Sequence, residues 1–175
     1  MKSLPNLITL LRLLLVPIIA VLLAEQRFGA AFAVFVIGAV SDGIDGMLAR
    51  RLRAESQIGL MLDPVADKLF VMTTAFVLAW EDWLPWWTAA ALIARDVLIL
   101  TPLVVDPRFK DKWPSPNRAG KLHTAFALFV LTATIAQAAN WINLPRAMLA
   151  LQVLLMATLL LSLGFYARVW LKKTG

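Results

Sequence analysis

The chain has 175 residues, 61% of them hydrophobic, and a mean hydropathy of +0.77. Soluble domains average roughly 45–50% apolar residues, so this composition excludes a water-soluble globule and predicts one integral membrane domain over residues 1–175. The formal charge of +6 does not point to nucleic acid, because the basic residues sit in short stretches between apolar runs. That pattern sets membrane topology and suits anionic lipid headgroups. The absence of cysteine excludes disulfides and thiolate metal sites.

The first predicted helix runs from Leu4 to Ala24 and is apolar apart from Asn6, Thr9 and Arg12. A signal peptide carries its charge ahead of the apolar core, whereas Arg12 lies inside this one, so a retained helix is expected, with an amphipathic opening turn on the membrane surface. For Arg12, snorkelling to the interface and a functional role both stay open. After a polar turn at Glu25–Arg27, the second helix spans Phe28 to Leu52 and carries Asp42 and Asp45 in its C-terminal half. Arg50, Arg51 and Arg53 mark that end as cytoplasmic. The third helix spans Gln57 to Trp80 and holds Asp63, Pro64 and Asp67. The proline predicts a kink, and Gly46 and Gly59 allow a ligand or another helix to approach closely.

Glu81–Trp87 reads as a short outer loop with an aromatic belt. The fourth helix, Trp86 to Val105, has Arg95 and Asp96 at its middle, where an ionisable pair is either functional or a packing ion pair. The basic, proline-rich stretch 106–120 predicts a cytoplasmic loop. The fifth helix opens near Arg118 with Lys121 in its first turn. Those cations and the free backbone N–H groups there suit a phosphate. His123, the single histidine, is expected to be a packing residue. After a turn at Asn140–Pro145, the sixth helix runs from Arg146 to Trp170 and is followed by Lys172 and Lys173. The fold class expected is therefore all-α, with six transmembrane helices and both termini cytoplasmic, since only Arg27 and Arg146 then face outward.

The densest chemistry lies between residues 42 and 67. Asp42 and Asp45 stand three apart, and Gly59, Asp63 and Asp67 repeat at spacing four, so each set shares one helical face. A hairpin of the two helices brings four carboxylates to one pocket. They repel at low dielectric unless divalent cations lie among them, and hard oxygen ligands suit Mg²⁺ or Mn²⁺.

The full spacing is D-x2-D-G-x2-A-R-x8-G-x3-D-x3-D, filled by Asp42, Asp45, Gly46, Ala49, Arg50, Gly59, Asp63 and Asp67. It resembles the signature of the CDP-alcohol phosphatidyltransferase family at every position. The opening Pro5, Asn6, Thr9 and Arg12 and the Gly120-Lys121-x-x-Thr124 pattern are similar to the phosphatidylglycerophosphate and cardiolipin synthases within that family. The resemblance implies phosphatidyl transfer from CDP-diacylglycerol to an alcohol, with release of CMP. It implies that Asp42, Asp45, Asp63 and Asp67 ligate two divalent cations and that Asp67 is also the general base. It further implies that Asp42, Asp45, Gly46, Ala49, Arg50 and Gly59 bind the cytidine nucleotide. Arg95, Arg118 and Lys121 suit a second anion site, which favours glycerol 3-phosphate as acceptor, with phosphatidylglycerol as the alternative. The implied setting is a homodimer in a bacterial-type inner membrane with its site at the cytoplasmic face. A small ion- or proton-coupled transporter using the buried acids is the competing reading. It requires acids spread through the membrane depth, whereas these cluster at one end.

Overall fold

The computed structural model describes the backbone of residues 4–52, 57–105 and 118–174, and the side chains of residues 10–41, 65–98 and 120–164. Within these limits the chain is all-helical: α1 (Leu4–Ala24), α2 (Phe28–Leu52), α3 (Gln57–Trp80), α4 (Trp86–Val105), α5 (Arg118–Ala138) and α6 (Pro145–Thr174). Four of the expected helices recur at the expected bounds, and the fifth opens at Arg118 as expected and ends at Ala138. The sixth begins one residue earlier than its expected start at Arg146 and runs four residues past the expected end at Trp170. Proline at the first helical position loses no intrahelical hydrogen bond and has its φ already set, and Met148 N–H reaches the Leu144 carbonyl at 3.0 Å. The helix α3 continues through Pro64.

The helices α1, α3 and α5 end alike. Gln26, Asp82 and Asn140 adopt left-handed φ values of 57°, 60° and 59°. The residue after each donates five positions back: Arg27 to Leu22, Trp83 to Leu78 and Trp141 to Ala136, at 2.8–3.0 Å. These are Schellman closures built without glycine, and they satisfy the last carbonyls of each helix. They also make the α1–α2, α3–α4 and α5–α6 connections tight.

Each of those hairpins is packed, and α1 also lies against α3, α2 against α5, α4 against α6 and α3 against α5. The core between them includes Ile19, Leu23, Phe35, Phe70, Leu131 and Leu155. The outer faces are equally apolar. Leu10, Leu14, Ile18 and Val21 form an exposed stripe on α1, and Leu160 and Leu161 on α6 are 67% and 70% exposed. Apolar exposure on this scale suits lipid as solvent. Among the described residues, Gly120–Ala138 and Pro145–Gly164 are long and apolar enough on their own to cross a bilayer, and Leu10–Ala24 and Phe28–Ser41 are shorter apolar stretches.

The helices α2 and α3 run antiparallel. Phe28 at the start of α2 meets Trp83 just past α3 with ring centroids 5.3 Å apart, and further along Phe35 stacks on Phe70 at 5.5 Å. Gly38 makes the crossing possible, because a Cβ there would lie 2.8 Å from the Phe70 ring. Asp42 stands one helical turn past Gly38 on α2. Asp67 stands one turn before Phe70 on α3. The antiparallel crossing therefore sets the two acidic turns on the same side of the contact.

Candidate functional site

Of the motif residues, only Asp67 lies among the described side chains, and it is half-buried. The side chains of Asp42, Asp45, Gly46, Ala49, Arg50, Gly59, Asp63 and Arg118 lie outside the described residues, as does the basic stretch 106–117. All eight named residues are in helical segments, the first five on α2, Gly59 and Asp63 on α3 and Arg118 at the start of α5. The described residues contain no group of three metal-ligating side chains. The carboxylates that the sequence places on α2 and α3 at this end are hard oxygen donors, which suit a hard divalent cation.

Next to Asp67 a buried ionic network joins three helices. Lys68 on α3 places its Nζ 3.2 Å from Asp96 Oδ1 on α4, and Arg95 Nη1 donates to the same oxygen at 2.6 Å. All three groups are withdrawn from solvent, with side-chain exposures of 13%, 5% and 5% for Lys68, Arg95 and Asp96. Arg95 also reaches α5 through two long contacts of 3.5 Å, from Nη1 to Thr124 Oγ1 and from Nη2 to the Gly120 carbonyl. The Thr124 hydroxyl donates to that same carbonyl at 3.1 Å, leaving its oxygen free to accept from Arg95. The cluster carries two cations and one anion. The net positive charge of these three groups suits an anionic ligand or a carboxylate nearby.

Lys68 was not visible to the motif reading, which stops at Asp67. The available signal was a lysine inside an otherwise apolar helix, the one basic residue of α3. The Gly-Lys-x-x-Thr pattern also gains a structural meaning, since Gly120 and Thr124 seat Arg95 while Lys121 between them is exposed. Arg12 is 3% exposed, so it does not snorkel to a surface.

His123 is fully buried, with Nδ1 2.9 Å from Thr158 Oγ1. The Thr158 hydroxyl proton is committed to the Leu155 carbonyl at 2.8 Å. Nδ1–H must therefore be the donor to Thr158, which leaves Nε2 as the bare acceptor of a neutral ring. Nε2 has no partner among the described residues. The ring pins α5 to α6, in keeping with its expected packing role.

Comparison with known proteins agrees with the motif. The family model described as CDP-alcohol phosphatidyltransferase matches residues 2–170. The CMP-forming cardiolipin synthase of Streptomyces coelicolor is 33% identical over 156 residues, covering 79% of this chain and 73% of that protein. The CDP-diacylglycerol–glycerol-3-phosphate 3-phosphatidyltransferases of Pseudomonas fluorescens and Escherichia coli K12 are 42% and 39% identical over 102 and 104 residues. Those two alignments span 55% of this chain and about half of each relative, 52% and 56%.

Proposed function

This chain belongs to the CDP-alcohol phosphatidyltransferase family, and from that premise we propose that it transfers a phosphatidyl group from CDP-diacylglycerol to a glycerol-type alcohol and releases CMP. The acceptor oxygen forms a bond to the phosphorus bearing diacylglycerol. The bond from that phosphorus to the bridging oxygen breaks, and CMP leaves with the bond's electron pair. Asp67 takes the acceptor hydroxyl proton, a role for which a half-buried carboxylate at the acidic turn is suited. Asp42, Asp45, Asp63 and Asp67 would hold two divalent cations, Mg²⁺ or Mn²⁺, whose charge offsets that developing on the phosphate oxygens. Gly46, Ala49, Arg50 and Gly59 seat the cytidine nucleotide.

The acceptor anion belongs at the start of α5, with Arg118, Lys121 and the helix N–H groups. Arg95 is buried and engaged by Asp96, Gly120 and Thr124. That favours a positioning role, in which Arg95 fixes the first turn of α5 and leaves exposed Lys121 to meet the ligand. The preferred acceptor is glycerol 3-phosphate, supported by this cationic turn and by the two glycerol-3-phosphate phosphatidyltransferases at 42% and 39% identity. Phosphatidylglycerol is the second reading, supported by the longer match to a cardiolipin synthase, over 79% of the chain. The setting proposed is a six-span homodimer in a bacterial inner membrane, active site and termini cytoplasmic. Family membership over residues 2–170 argues against a transporter.

The observation that carries this reading is the complete acidic motif on two helices that cross at Gly38 and Phe70. It is tested by measuring CMP release from CDP-diacylglycerol with glycerol 3-phosphate or phosphatidylglycerol as acceptor. Turnover is expected with glycerol 3-phosphate, to be lost in EDTA and restored by Mg²⁺ or Mn²⁺. Turnover with phosphatidylglycerol alone would move the assignment to the second reading. No CMP release with either would refute the transfer.

A further inference from the structure

The end of the bundle away from the acidic motif holds a cavity of about 280 Å³ between the α3–α4 turn, α5 and α6. Asp82, Trp83, Trp86, Thr134, Gln137 and Gln152 are among its lining residues. Its polar groups are placed as if for a ligand. Gln152 is only 6% exposed. Gln137 Oε1 is buried without a partner among the described residues. Thr134 is 3% exposed and its hydroxyl proton is spent on the Val130 carbonyl at 2.8 Å, so its oxygen can only accept. Buried polar atoms are rarely left unpaired, because the cost of desolvation is then uncompensated.

The lining also selects a sign of charge. Its one charged residue among those described is the carboxylate of Asp82, and no lysine or arginine is present. A carboxylate, an unpaired amide oxygen, a hydroxyl oxygen that can only accept and two indoles together favour a cation rich in N–H donors. Exposed Trp80, Trp86, Trp87 and Trp141 ring this end of the bundle, as at the headgroup depth of a bilayer. Arg146, beside Pro145 in the first turn of α6, is exposed and suits a phosphate. We propose that this cavity receives the primary ammonium group of a zwitterionic phospholipid headgroup, whose phosphate meets Arg146. The proposal rests on the membrane setting given above but not on the transfer reaction.

The test uses the full chain in phosphatidylglycerol nanodiscs doped with phosphatidylethanolamine or, in a second arm, phosphatidylcholine. Lipids retained on the protein are counted by native mass spectrometry. Phosphatidylethanolamine is expected to be retained over both other lipids by about tenfold, the scale of one charge-assisted contact. Asp82→Asn should abolish that preference, and asparagine tolerates the left-handed turn at this position. Gln137→Leu should weaken it. Both variants should keep the unfolding temperature of the unaltered protein, which reports an intact fold, and its CMP release, which separates this cavity from the acidic motif. Asp67→Asn, inactive in transfer, should keep the preference. Displacement of the lipid by free ethanolamine would mean that the ammonium alone is recognised, and persistence that the whole headgroup is; either supports the site. Equal retention of the three lipids, or an Asp82→Asn protein with unchanged preference, overturns it.

Discussion

Asp96 accepts from two cations on one oxygen, and all three groups are largely withdrawn from solvent. Asp96→Asn keeps the shape but strands Lys68 and Arg95 without their counter-charge. Breaking a buried pair in this way costs about 3–5 kcal/mol, so thermal unfolding followed by tryptophan fluorescence should shift clearly downward. Adding Lys68→Met removes one stranded cation and should recover much of that loss. A double variant no more stable than the single one would show that Lys68 does not depend on Asp96. Lys121 differs from this group because it is exposed. Lys121→Ala should raise the acceptor KM about tenfold to a hundredfold and leave kcat and the CDP-diacylglycerol KM nearly unchanged, since a phosphate contact is shared by ground and transition states. A fall in CDP-diacylglycerol affinity instead would place the two anions in exchanged sites.

At the scale of helices, the α2–α3 crossing depends on an atom that is missing. Gly38→Ala would push a methyl group to 2.8 Å from the Phe70 ring. The helices must part or the ring must turn, at a cost of about 1–3 kcal/mol. Activity should fall with stability, because the acidic turns sit one turn away, and Phe70→Leu in the same chain should restore both. If Gly38→Ala lowers neither, the crossing does not position the site. Helix bounds were readable from sequence because polar turns and tryptophans interrupt long apolar runs. The partners of each helix were not. Leu14 and Ile18 on α1 are exposed while Ile19 and Leu23 are buried, and in a protein solvated by lipid the two faces carry the same residue types. The pairings α2 with α5 and α4 with α6 leave no periodic signature for that reason. The acidic motif was legible because its residues are costly in such surroundings. The lysine that adjoins it was missed because its meaning lies in Asp96 on another helix.

For the whole molecule, the proposed six spans put the turns after α1, α3 and α5 on one face of the membrane and both chain ends on the other. The sequence contains no cysteine, so single reporters can be introduced on a silent background. Asn143→Cys should react with a membrane-impermeant maleimide from outside intact cells, and Thr174→Cys only after the membrane is opened. Labelling of both from the same side would break the six-span order. The three Schellman turns carry a further consequence, for connectivity. Each closes locally and joins helices that pack against one another, so the fold is three prefabricated hairpins, and the links between hairpins need not set the order of assembly. A gene divided within codons 106–117 should therefore yield two polypeptides, one of two hairpins and one of a single hairpin, that meet in the membrane and recover CMP release. A division at Asp82 cuts through a hairpin and should yield fragments that do not find each other.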